Sequence, residues 1–177
     1  MTEELKYPIG KFVKTDKLTP SLLAEYINEI ETFPAKLSKE LRGLTEEQLD
    51  TKYRSEGWTI RQVVNHCADS HMNSLVRFKL ALTEDKPTIK PYLQAGWAEL
   101  ADSKSMPIES ALKTLEGLHQ RWTVLLKSLT EKDLNSVFIH PEQGREIKLD
   151  ETIALYAWHC RHHLAHITSL KKRKQWD

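Results

Sequence analysis

The segment that decides the fold is Trp158-His159-Cys160-Arg161-His162-His163-Leu164-Ala165-His166-Ile167, which carries four histidines between positions 159 and 166. Apolar residues within it and on both sides recur with the spacing of one helix face. They are Ile153, Tyr156, Leu164, Ile167 and Leu170. This pattern predicts a long helix that is capped by Asp150 and runs to about Arg173.

The four histidines of this helix fall on one side of it. At about 100° per residue, and with His159 at zero, His163 projects at about 40°, His166 at about 340° and His162 at about 300°. His159 and His163, like His162 and His166, are therefore stacked one turn apart. Two imidazoles at that spacing can bind one metal ion. The spacing does not decide which pair binds, and a histidine cluster without metal is the alternative.

Three more stretches have the apolar spacing of amphipathic helices, residues 20–42, 60–83 and 107–129. The first opens at Thr19-Pro20 and contains Pro34, which predicts a kink near residues 31–33. The second follows a capping-box pattern, Thr59 with Gln62, and a short helical turn is expected over 45–49. Four long amphipathic helices predict an all-α protein, a four-helix bundle.

The remaining segments complete a single domain over residues 1–177. Residues 1–18 are predicted to be extended and to pack on the bundle. A long polar connection of some 20 residues joins the second and third helices. Two short β-prone runs, residues 137–139 and 147–149, flank a turn with Pro141 and Gly144, and predict a small β-hairpin before the last helix.

Composition excludes several classes of protein. Lys and Arg total 26 against 25 for Asp and Glu, a net charge of +1, so we expect no nucleic-acid or membrane partner. The expected partner is a small-molecule substrate, whose chemistry the charge does not indicate. The N-terminus has no signal-peptide pattern, and no apolar run approaches the ~18 residues of a membrane span. Cys67 and Cys160 are predicted to be buried and reduced. A cytoplasmic protein is expected.

A two-histidine helix needs a third ligand from another element. Candidates are His66 and His71 on the second helix, His119 on the third and His140 in the hairpin. Three histidine ligands leave a coordination position for water or substrate, as in catalytic zinc sites. Imidazole also suits nickel, copper and iron, so ligand type does not fix the metal. Trp58 is predicted to anchor helix packing, with a substrate platform as the alternative.

Three motifs together resemble the YfiT group of the DinB-like superfamily of bundle metalloproteins. They are Tyr7-Pro8-Ile9-Gly10, then Gly57-Trp58-Thr59-x-x-Gln62-Val63-Val64-x-His66-x-Ala68-Asp69-Ser70-His71-Met72-Asn73, then the histidine-rich segment 158–167. The resemblance implies a DinB-type four-helix bundle and a homodimer. It also implies one divalent metal per subunit, with zinc favoured and nickel as the alternative. The ligands it implies are His66, His159 and His163, which leaves His162 and His166 to support or pack around them.

The same resemblance implies activity as a metal-dependent hydrolase, in which the metal activates water. Related proteins are described as bacillithiol S-transferases, in which the metal would instead activate a low-molecular-weight thiol. No glutamate follows the first ligand of the last helix, because Cys160 and Arg161 stand there, and Asp69 is the candidate base. A metal-bound thiolate needs no such base, which is why the transferase stays open. A non-catalytic metal-binding dimer is the third alternative.

Overall fold

The computed structural model describes residues 2–15 and 18–176. Its helices and strands follow in the order α1 (Thr2–Lys6), α2 (Pro20–Leu41), α3 (Glu46–Leu49), α4 (Ile60–Thr83), α5 (Gln94–Trp97), α6 (Ala101–Ser105), α7 (Glu109–Lys127), α8 (Glu131–Leu134), β1 (Val137–His140), β2 (Arg145–Lys148) and α9 (Leu149–Lys174).

The four long helices form the predicted bundle. Helices α2 and α4 each pack against both α7 and α9, so the chain's first and second long helices lie diagonally across the core. Large side chains with almost no exposed surface fill the space between them, among them Phe33, Phe78, Leu115, Trp122 and Ile153. Burial of this apolar surface is the main force that holds the helices together.

The predicted helix starts at Thr19 and Thr59 are confirmed. The Thr19 hydroxyl accepts the amide hydrogen of Leu22 at 3.2 Å. At α4 the Thr59 hydroxyl accepts the Gln62 amide at 3.1 Å, and the Gln62 side chain accepts the Thr59 amide at 3.0 Å. The reciprocal bonds satisfy two amides that the first turn would otherwise leave unpaired. The α2 helix continues through Pro34 without interruption.

The predicted start of the last helix is wrong. Asp150 does not cap the last helix: α9 begins at Leu149, directly after β2, with Lys148 at the cap position. The β2 backbone leads straight into the helix, and the Thr152 hydroxyl donates to the Lys148 carbonyl at 2.8 Å. Asp150 lies instead in the first turn, where its charge favours the helix dipole.

The N-terminal segment is not extended throughout, because Thr2–Lys6 form α1. Acidic Glu3 and Glu4 lie in its first turn and Lys6 in its last, an arrangement that the helix dipole stabilises. The segment then contacts α9: the Trp158 indole donates to the Gly10 carbonyl at 3.2 Å. The chain's start is thereby held over the histidine-rich face of the last helix.

The predicted hairpin is confirmed, with β1 and β2 antiparallel and Phe138 opposite Ile147. The Ile89 amide donates to the Ile139 carbonyl at 3.0 Å, which ties the long connection to β1. That connection also contains α5 and α6 and packs on α4, where the Gln62 amide group donates to the Ala98 carbonyl at 2.7 Å. None of the helices in the described ranges is both long and apolar enough to cross a membrane.

Candidate metal centre

Three histidines meet where the N-terminal part of α4 packs beside the middle of α9. His66 comes from α4, and His159 and His163 come from successive turns of α9. One ring nitrogen of each lies within 4.8 Å of the others, a spacing that could hold a metal ion. The Nε2 atoms of His66 and His159 face each other at 3.3 Å. The trio is the ligand set that the family resemblance implies.

The rings of this trio are neutral at neutral pH. Burial lowers the pKa of His66 to about 4. Burial also holds the pKa values of His159 and His163 well below their usual value, because a charged imidazole is poorly solvated there. A neutral imidazole keeps one unprotonated nitrogen, which is the form that binds a metal.

A chain of hydrogen bonds runs from His159 into the core. His159 Nδ1 lies 3.0 Å from His71 Nε2, and His71 Nδ1 lies 2.7 Å from His119 Nε2. His119 Nδ1 lies 2.6 Å from the carbonyl oxygen of Ile30. His71 is 0% exposed and His119 is 1% exposed, so bulk water does not compete for these bonds. We call His159, His71 and His119 the histidine chain.

The carbonyl at its end fixes every proton in the histidine chain. A carbonyl only accepts, so His119 must donate from Nδ1. Burial lowers the pKa of His119 to about 4, so the ring has one proton and its Nε2 accepts from His71. His71 then accepts at Nε2 from the Nδ1–H of His159. The remaining nitrogen of His159, Nε2, is therefore unprotonated and faces His66.

The Ile30 carbonyl is available because of a proline. Its α-helical partner would be the amide of residue 34, and Pro34 has no N–H. The carbonyl accepts from His119 on α7 instead. Pro34 in α2 thus leaves the Ile30 carbonyl free to accept from His119, and this bond orients His159 on α9 through the histidine chain.

The geometry fits a tetrahedral divalent ion. Two nitrogens at the zinc bond length of 2.0–2.1 Å and at the tetrahedral angle lie about 3.3 Å apart. The His66 and His159 Nε2 atoms are separated by 3.3 Å. The donor set, neutral imidazoles with an oriented lone pair, suits zinc or nickel.

A second trio, His162, His163 and His166, also lies within 4.8 Å and could hold an ion. All three residues are on α9, and His163 belongs to both trios. The other two members of this trio stack on aromatic rings. The Trp158 ring centroid lies 4.3 Å from that of His162, and the Tyr53 ring centroid lies 3.9 Å from that of His166. His166 donates from Nε2 to the Lys6 carbonyl at 3.1 Å. The second trio lacks both a ligand from another helix and a histidine whose lone pair is oriented from the core.

The first trio opens into a cavity of about 430 Å³. Trp58 and Tyr156 line it beside the histidines, and Phe138, His140 and Ile147 of the hairpin line it farther along. The Trp58 ring lies 4.7 Å from the His66 ring, so this residue covers the site as well as packing at the start of α4. A ligand bound here would meet the open side of the trio.

A larger groove of about 680 Å³ lies between α2 and α7. Leu112, Val124 and one histidine, His119, are among its lining residues, and none of the first trio is. The smaller cavity is therefore the one that joins potential metal ligands to space for a substrate.

The other sequence candidates take separate positions. His71 and His119 belong to the histidine chain, and His140 lines the cavity. Asp69, the candidate base, is not among the cavity-lining residues; it lies toward Asp102, and burial raises its pKa to about 6. Cys67 and Cys160 are buried free thiols, as predicted. Two cations also line the cavity: Lys6, to which sequence reasoning assigned no role, and Arg77, which lies on the same face of α4 as His66.

Comparisons with known proteins identify relatives of this chain. The sequence profile of the DinB superfamily matches residues 29–167. A Bacillus cereus protein named "Putative metal-dependent hydrolase" is 56% identical over 98% of this chain and 99% of its own length, and a Bacillus thuringiensis protein of that name matches equally well. The structure of YfiT from Bacillus subtilis, described as a probable metal-dependent hydrolase with an unusual four-helix bundle topology, superposes with a TM-score of 0.96 at 45% identity over 98% of this chain and 99% of that one.

A mycothiol-dependent maleylpyruvate isomerase shares the fold alone. It matches with a TM-score of 0.65 at 18% identity, over 82% of this chain and 60% of that protein. The profile match, the YfiT superposition and the conserved architecture of the bundle lead to one assignment. The chain belongs to the DinB superfamily, in its YfiT group.

Proposed function

We propose that this protein is a metal-dependent hydrolase whose single divalent ion is held by His66, His159 and His163. The observation that carries the proposal is the oriented lone pair of His159, which faces His66 Nε2 at 3.3 Å beside an open cavity. Zinc is the favoured ion and nickel the alternative. The names of the Bacillus relatives support the same reaction class.

The bound ion would supply a water molecule of lowered pKa, ready to attack a substrate carbonyl. Residues of the chain shape the space around that reaction. Tyr156 donates from its hydroxyl to the Ser70 carbonyl at 3.1 Å, which fixes its ring beside His159. Trp58 covers His66 and limits the approach of bulk water from that side.

One observation favours a second candidate, a thiol S-transferase. In the part of the chain that the structure describes, no aspartate or glutamate lines the cavity, so no carboxylate base lies beside the trio. A thiol that binds the ion loses its proton without a strong protein base, and the thiolate can then attack an electrophile. The bacillithiol transfer implied by the family resemblance likewise requires a thiolate and an electrophile but no carboxylate base.

Metal content and thiol dependence test both candidates. Wild type, His159→Ala and the matched variant His162→Ala would be loaded with zinc or nickel, dialysed and analysed. The proposal expects one ion per chain in wild type and His162→Ala, and loss of the ion in His159→Ala. Retention by His159→Ala together with loss from His162→Ala would move the site to the second trio. No ion in any of them would refute metal dependence.

The loaded wild type would then be given ester, amide and electrophile substrates with and without a low-molecular-weight thiol. Cleavage that does not need the thiol supports the hydrolase. Consumption of the electrophile only when thiol is present supports the transferase. A protein that retains one ion and turns over neither class is a metal-binding protein without these activities.

A further inference from the structure

The cavity beside the first trio is lined, among described residues, by cationic but not by acidic side chains. Lys6 and Arg77 line it, and none of its lining residues in the ranges 2–15 and 18–176 is an aspartate or glutamate. The three histidine ligands are neutral, so a bound divalent ion would add two further positive charges. Positive charge concentrated in a cleft with low-dielectric walls attracts and retains anions.

Arg77 is the cation best placed to receive an anion. It lies 11 positions after His66, so it projects within about 20° of it on α4, three turns and about 16 Å along the helix. Among the described residues its guanidinium has neither an ion pair nor a hydrogen bond, although it is half-buried. Arg61, a fully buried arginine of the same helix, is by contrast held by Asp50 and Glu46. A half-buried guanidinium without a protein partner keeps all its donors available for an anionic ligand.

A second group without a partner lies near Arg77. His140 lines the same cavity from the end of β1, and its Nδ1 is buried without a hydrogen-bond partner in the described part of the chain. Burial lowers the pKa of His140, and the nearby Arg77 charge lowers it further. A carboxylate placed between the two would satisfy both, because guanidinium forms paired hydrogen bonds with carboxylates and an imidazole N–H can add another.

We propose that the substrate is an elongated organic anion whose carboxylate binds at Arg77 and His140, while its reactive group lies at the histidine trio. This inference rests on the proposed function, because it treats the cavity as the substrate site. The walls between the two ends include Tyr156, Phe138 and Ile147, which suit an apolar or aromatic body. Arg77 lies three helical turns, about 16 Å along α4, from His66, so its role is recognition and not chemistry.

Calorimetric titration with matched ligand pairs tests the proposal. Each pair is an ω-phenylalkanoic acid and its primary amide, in a series of chain lengths, added to zinc-loaded protein. We expect at least one acid to bind about tenfold or more tightly than its amide. Arg77→Gln should abolish that preference, and Arg77→Lys should retain part of it. Arg121→Gln, an exposed arginine on α7, is the matched control and should bind like wild type.

Repeating the titration without metal separates this proposal from the proposed function. Arg77 acts independently of the ion, so the acid preference should persist in metal-free protein in weaker form and remain sensitive to Arg77→Gln. An acid preference that survives Arg77→Gln and vanishes with the metal would mean that the carboxylate binds the ion, and would overturn the proposal. Equal binding of acid and amide at every length, or no binding by any acid, would also overturn it. Thermal unfolding of each variant verifies that the fold is intact.

Discussion

Replacing His71 with leucine should weaken metal binding although His71 is not itself a metal ligand. His71 accepts the Nδ1–H of His159 at 3.0 Å and donates to His119 at 2.7 Å. Leucine has a similar volume but neither an acceptor nor a donor. His159 would lose the bond that keeps its proton on Nδ1, and it could then place that proton on Nε2, the nitrogen that faces His66.

The expected magnitude follows from burial. His71 is 0% exposed, so water cannot replace the lost acceptor, and a buried unpaired donor costs about 1–3 kcal/mol. Loss of the partner behind a ligating histidine typically lowers metal affinity about 10–100-fold, which corresponds to about 1.4–2.8 kcal/mol. His71→Gln keeps an acceptor and a donor in one side chain, so its affinity should lie between those of His71→Leu and wild type.

Zinc competition with a chromogenic chelator measures the affinity of each variant. His140→Leu is the control, because His140 lines the same cavity but is outside the histidine chain. Long-range proton–nitrogen NMR of metal-free wild type reads the protons directly, and should show His119, His71 and His159 all protonated at Nδ1. Two results would refute the reasoning: zinc affinity of folded His71→Leu close to that of wild type, or a proton on Nε2 of His119 or His71.

Three further predictions concern the supports of the site and the core. Pro34→Ala restores an amide that competes for the Ile30 carbonyl, so zinc affinity should fall by less than in His71→Leu while resistance to urea is unchanged or rises, as proline inside a helix is unfavourable. Leu115→Ala, in the fully buried core, should lower the free energy of unfolding by about 2–5 kcal/mol in urea titrations. Burial lowers the pKa of His119 from 6.5 to about 4, so the stability that its neutral form provides is complete above pH 6.5 and is lost as the pH falls toward 4; between about pH 6.5 and pH 5, metal-free wild type should lose about 2 kcal/mol more in urea unfolding than His119→Gln, which lacks this ring but keeps the other buried histidines.

The long elements could be predicted because their signals are local. The Thr59–Gln62 capping box and the apolar spacing of α9 both involve residues three or four positions apart, so both can be recognised from a single sequence. The start of α9 was misplaced because Asp150 is a good cap in isolation, whereas the hairpin carries the backbone into the helix before it. The short helices α5 and α6 depend on packing against α4, as the Gln62 bond to Ala98 shows. They are too short for an apolar periodicity that would predict them from the sequence.

The candidate site was only partly predictable for a related reason. Spacing placed His159 and His163 one turn apart, but choosing them over His162 and His166 requires knowing that α4 brings His66 to that end of the face. His71 lies five positions after His66 and projects about 140° from it, so no helical projection joins the two to one site. The homodimer and the cytoplasmic location implied at the level of sequence stay predictions.

Pro34 shows how one residue can have a consequence that its local sequence context does not reveal. Within α2 a proline signals a missing amide and a strained helix. In the bundle, the missing amide leaves the Ile30 carbonyl to His119, which fixes the proton of His71 and, through it, that of His159. The backbone defect in one helix therefore determines which nitrogen of another helix faces the proposed metal. The Phe33 ring, whose centroid lies 5.4 Å from that of His71, packs against this chain of hydrogen bonds and helps to keep water from it.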